Sequence, residues 1–158
     1  MTNEKEQYPK KIVTIEKITE DSEETKEVIT IVNNEYEEKA VKVAIAWMDA
    51  WNKRNEMGCD NTTNFPHIRL SMSGLGITKK SPILPPKFFE RFIKVTGWNH
   101  SCWDYRRVVH SGENKVHLAI QYSRFRSDGT RIGTYPSLWV ITNQEGHWGI
   151  KIRSSFAQ

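Results

Sequence analysis

Residues 128–157 read DGTRIGTYPSLWVITNQEGHWGIKIRSSFA, and the fold follows from how this stretch divides. Ser127-Asp128-Gly129 makes a turn. Tyr135 to Thr142 is rich in β-branched and aromatic residues, Asn143 to Gly146 turns the chain, and His147 to Phe156 extends it again. Upstream, Lys115 to Arg126 is a strand entered through Ser111-Gly112-Glu113-Asn114, and Ser101 to His110 is the strand before it. Four long strands joined by tight turns predict an antiparallel meander.

Helices precede it. Glu35 to Glu56 (EYEEKAVKVAIAWMDAWNKRNE) sets Val41, Ala44, Ile45, Met48 and Trp51 on one face, with Asn33 and Asn34 able to cap it and Gly58 to stop it. Phe65 to Met72 reads as a strand ended by Ser73-Gly74-Leu75-Gly76. Lys87 to Thr96 is a short amphipathic helix with Phe88, Phe92 and Val95 on one side. Before all of these, Lys11–Thr19 and Lys26–Val32 alternate around a polar EDSEET link, which predicts a β-hairpin; the acidic-helix alternative is disfavoured by the density of Ile, Val and Thr. The expected organisation is a disordered tail over residues 1–10, a hairpin over 11–33, and one domain over 34–158. Its class is α+β: a curved antiparallel sheet with helices on its concave face.

Composition limits the possibilities. The chain has 158 residues, enough for one self-sufficient core. The first 35 residues carry five Lys against nine Asp or Glu, a net −4, and the remainder carries +8. A basic body attracts anions, but there is no Lys/Arg cluster or nucleic-acid motif, which argues against nucleic acid as a partner. Cys59 and Cys102 fit no metal or CxxC spacing, the N-terminus has no apolar leader, and no run is long enough to span a membrane, so a cytoplasmic location is expected. Five scattered histidines without HxH or HExxH spacing predict no metal, and no cofactor motif is present. Six tryptophans suggest a deep core or an aromatic-walled cavity.

AIAWMDAWNKRN, FPHIRLSMSG and the closing stretch DGTRIGTYPSLWVITNQEGHWGIKIRSSFA, with its Gly-Xaa-Trp turn, resemble the first helix, first strand and last strands of the nuclear transport factor 2-like superfamily. That superfamily includes SnoaL-like polyketide cyclases, ketosteroid isomerase and scytalone dehydratase. The likeness covers roughly residues 35–157 and implies a cystatin-like cone with a small-molecule pocket. It says little about activity, because the scaffold hosts unrelated functions. The hairpin lies outside the common pattern, and residues 58–64 look too short for the second helix. Ketosteroid isomerases place carboxylates on the first and late strands. His67-Ile68-Arg69-Leu70 and Leu138-Trp139-Val140 have none, which argues against steroid isomerisation. A dehydratase-like His/Asp/Tyr set would have to come from His67, His100, His110, His117, Asp104, Tyr105 and Tyr122.

Strand parity selects the site candidates. Asp104 shares a face with Cys102 and Arg106 and, unless a bulge intervenes, lies within diagonal reach of Arg124; it is a candidate base, with an ion pair to Arg106 or Arg124 as its structural alternative. His67 is a candidate acid–base group or a satisfied structural histidine. Arg69 and Arg124 could clamp a carboxylate, Tyr122 could orient a ligand, and Trp51, Trp98 and Trp139 could wall the pocket. Three functions remain open: a small-molecule-binding protein, a cofactor-free lyase or isomerase acting on a small anionic or aromatic substrate, and a non-catalytic interaction module. A homodimer is expected through the outer sheet face, carrying His117, Gln121, Phe125 and Arg153.

Overall fold

The structure, a computed structural model, describes residues 7–157. In chain order the elements are β1 (Lys10–Glu16), β2 (Lys26–Val32), α1 (Glu35–Asn52), α2 (Glu56–Asn61), β3 (Thr63–Ser71), β4 (Gly74–Thr78), α3 (Phe88–Thr96), β5 (Trp98–Ser111), β6 (Lys115–Arg126), β7 (Arg131–Gln144) and β8 (His147–Ser155). β1 and β2 form the expected hairpin, and the other six strands form one sheet in the order β4-β3-β8-β7-β6-β5. The meander β5–β8 is antiparallel throughout, and β3 returns alongside β8 in parallel. Helix α1 lies against β5, β6, β7 and β8, so the sheet curls around it.

α1 starts where Asn34 Oδ1 accepts the Glu37 N–H at 2.9 Å while Glu37 Oε2 accepts the Asn33 N–H at 2.6 Å, a reciprocal cap. Its buried stripe is Ala40, Val41, Ala44, Trp47, Met48 and Trp51. The helix ends at Asn52, earlier than expected, where Arg54 turns the chain at φ 55°. Gly58 is not the stop; it lies inside α2, the second helix that residues 58–64 seemed too short to hold. Six residues starting after Asn55 suffice, because Asn55 Oδ1 caps the Gly58 N–H at 3.0 Å. A Cβ at Gly58 would stand 2.8 Å from Ala50 Cβ, so glycine is what lets α2 close on α1. β4 was also unforeseen: Met72-Ser73 is a two-residue turn, and Leu75 and Ile77 pair with Leu70 and Ile68.

Trp51 joins the layers. The rings of Phe88, Phe89 and Phe92 from α3 and of Trp98 from β5 all lie 5.1–6.1 Å from it, mostly edge to face. The hairpin is held differently. Its inner face buries Val28, Thr30 and Val32, and the buried Arg106 of β5 donates to Thr30 Oγ1 at 3.0 Å, Thr14 Oγ1 at 2.9 Å and the Val28 carbonyl at 3.2 Å. Of the tail expected over 1–10, residues 1–6 lie outside the described residues; Tyr8 already donates to Glu38 of α1 at 3.0 Å.

Candidate functional site

Bulges in the sheet decide which side chains enter the cone. Between β5 and β6 the register runs Trp103↔Tyr122, then Tyr105↔Gln121, leaving Asp104 as the extra residue. Between β7 and β8, Val140↔Ile152 is followed by Ile141↔Ile150, leaving Lys151 extra. Between β6 and β7, Ile132 is extra, after Arg124↔Gly133. Each bulge inverts the parity of the residues beyond it.

A cavity of about 320 Å³ opens between α1, α3 and the concave sheet face. That lies at the lower end of the range for small-molecule sites. Trp47, Met48 and Trp51 of α1 form one wall, and Ile83, Leu84 and Pro85 with Phe88 and Phe92 form another. The sheet contributes His67, Arg69, Ser101, Tyr122, Arg124, Ser137, Trp139, Arg153 and Ser155. Six of the sequence candidates therefore meet here: His67, Arg69, Tyr122, Arg124, Trp51 and Trp139.

Two candidates do not. The Asp104 bulge turns its carboxylate away, where it accepts Ser123 Oγ at 2.7 Å and Gln121 Nε2 at 3.2 Å. Gln121 and Ser123 alternate with the cavity-lining Tyr122 and Arg124, so this network lies on the opposite face of the sheet. Asp104 pairs with neither Arg106 nor Arg124 and is not placed to act as a base in the cone. Trp98 stands behind the wall, stacked on Phe89 at 6.0 Å, with its Nε1 donating to Ser101 Oγ at 3.0 Å.

Arg153 moves the other way. Simple alternation predicts it on the outer face, but the Lys151 bulge carries it and Ser155 into the cavity. Its guanidinium lies over the Trp47 ring at 4.5 Å, and its Nε donates to His67 Nε2 at 3.2 Å. The other His67 nitrogen, Nδ1, contacts the Ile150 carbonyl at 3.1 Å and must carry the proton. Burial and the neighbouring Arg153 push the His67 pKa down to about 4. Its one lone pair is already occupied, so His67 orients Arg153 and has no free basic nitrogen. Phe125 keeps the outer parity of Gln121 and Ser123 but is covered there; it is buried and stacked on His100 at 5.5 Å.

The cavity thus holds three guanidiniums, Arg69, Arg124 and Arg153, and no Asp or Glu among its lining residues. Arg124 sits in an aromatic cage: Tyr135 at 4.8 Å, Phe92 at 4.9 Å, Tyr122 at 5.5 Å and Trp51 at 5.9 Å. Its Nε is buried without a hydrogen-bond partner among the described residues. Trp47, which stacks on Trp51 at 6.0 Å, was legible as the i−4 neighbour of Trp51 on α1. Nothing in the sequence pattern marked Arg153.

The chain has the nuclear transport factor 2-like, cystatin-like cone fold. A nuclear transport factor 2-like protein with a cystatin-like fold from Novosphingobium aromaticivorans superposes with TM-score 0.62 at 11% identity, over 77% of this chain and 81% of that one. A domain of unknown function with a cystatin-like fold from Nostoc punctiforme gives TM-score 0.62 at 14% identity, over 80% of each chain. A ketosteroid isomerase-like protein from Erwinia carotovora atroseptica gives 0.57 at 13% identity, over 78% and 96%. No protein-family model matches the chain, and no curated protein matches it in sequence. Among the described residues no helix is long and apolar enough to cross a membrane.

Proposed function

We propose that the cone binds a small organic anion, holding its charge with arginines and its body against aromatic walls. The observation that carries this reading is the set of three guanidiniums facing a cavity without a lining carboxylate. Uncompensated charge in a desolvated site is costly, and an anionic ligand relieves that cost. The lyase or isomerase reading needs a base in the cone. Asp104 is outside it, and the His67 lone pair is committed to Arg153. Binding without turnover is therefore the better supported function.

Isothermal titration with benzoate and the isosteric benzamide tests the proposal. Benzoate should bind at least tenfold more tightly, and Arg69→Gln should remove most of that preference. Equal affinity for the neutral amide overturns it.

A homodimer through the outer sheet face is retained, on different residues. Leu75, Leu70, Ser154 and Leu138 make one cross-strand row opposite the cavity, and its three leucines are 66%, 48% and 42% exposed. Sedimentation should give a dimer that Leu70→Glu dissociates. The two free, buried cysteines support a reducing, cytoplasmic setting.

A further inference from the structure

The three arginines are unevenly placed. Arg69 and Arg153 are register partners on the parallel strands β3 and β8. Their backbones are therefore about 4.8 Å apart, and both side chains enter the cavity. Burial lowers the Arg153 pKa to about 10, and repulsion by the like charge of Arg69 beside it adds to the shift; Arg124 acts in the same direction.

Few of the donors in this group are used. Among the described residues Arg69 makes one long bond, Nη2 to the Ala157 carbonyl at 3.4 Å, and Arg153 donates only from Nε, to His67. Arg124 Nε has no acceptor among the described residues. Ser155, in the next cross-strand row from Arg153, accepts the Ala157 N–H at 3.1 Å and keeps its own proton to donate.

A single carboxylate presents two oxygens and one charge, which satisfies one arginine fork. Two adjacent forks, a third guanidinium and a hydroxyl donor match a head with three terminal oxygens and nearly two charges. We propose that the ligand is a phosphate monoester of an apolar or aromatic alcohol. Its dianionic head lies between Arg69 and Arg153, and its body lies against Trp47, Trp51 and Phe92. This rests on the anion-binding reading above and specifies the anion.

Calorimetric titration of the full chain with phenyl phosphate, benzoate and benzyl alcohol separates the two claims. At pH 7.5 phenyl phosphate should bind more than tenfold tighter than benzoate, and benzyl alcohol weakest. Lowering the pH through about 6, where such a monoester takes up its second proton, should weaken phenyl phosphate and leave benzoate unchanged. Arg69→Gln should cost phenyl phosphate more than tenfold. Arg153→Gln should cost it as much; Arg153→Lys keeps a charge and a donor for His67 but loses the fork, so it gives the same readout should Arg153→Gln fail to fold. If benzoate binds as tightly as phenyl phosphate, or the preference is insensitive to pH and to Arg69, the phosphate assignment falls and anion binding stands. If neither anion outbinds benzyl alcohol, both fall.

Discussion

Arg153 Nε donates to His67 Nε2 across 3.2 Å, and this bond ties a cavity-lining guanidinium to a histidine that must remain neutral. Protonating His67 would remove the acceptor and set an imidazolium against a guanidinium.

Stability should therefore depend on pH in a defined window. The His67 pKa is about 4 in the fold against an ordinary 6.5. Between those values the unfolded chain binds more protons, so stability is full above about 6.5, falls as the pH drops towards 4, and flattens below. At about 1.4 kcal/mol per unit the total is on the order of 3.5 kcal/mol. Urea unfolding at pH 7.5 and 4.5 measures it, and His67→Gln should flatten this part of the profile. An unchanged slope in that variant contradicts the assignment.

Arg124→Gln should weaken benzoate binding about tenfold, from loss of one charge-assisted contact of roughly 1.5 kcal/mol. It should leave the melting temperature equal or higher, because a caged charge with an unpaired Nε is removed. A large drop in melting temperature would mean that the cation–aromatic contacts hold the fold together.

Asp104→Asn should leave ligand binding intact. The amide oxygen can still accept from Ser123 and Gln121, so the stability loss should stay near about 1 kcal/mol. Loss of binding by calorimetry would return Asp104 to the site.

Gly58→Ala tests the α1–α2 contact. Within a helix this exchange ordinarily stabilises by up to about 1 kcal/mol. Here the new methyl would meet Ala50 Cβ at 2.8 Å, so denaturant unfolding should show a loss of about 1–3 kcal/mol.

The long elements were legible because each repeats one signal many times: the alternation of β6 and β8, the helical stripe of α1, the two halves of the hairpin. Short elements lack that redundancy. GLGIT in β4 has two glycines in five residues and reads as a loop until Ile68 and Leu70 are seen opposite it. α2 is held by one asparagine cap and the absence of a side chain at Gly58. At the site, His67, Arg69, Tyr122 and Arg124 could be nominated because residue type and approximate position sufficed. Asp104 and Arg153 were exchanged between faces because single extra residues reset parity, and a bulge leaves no compositional trace.

The hairpin has a consequence for solubility. β5 is the last strand of the sheet, and its outer edge would expose unpaired backbone groups. Glu16 Oε1 accepts the Trp103 N–H at 2.7 Å, and the Lys17 carbonyl receives the Cys102 thiol at 3.1 Å. A carboxylate on this edge amide occupies the position that a strand from another molecule would need there. The N-terminal segment thereby covers part of the border at which sheets of separate molecules can join.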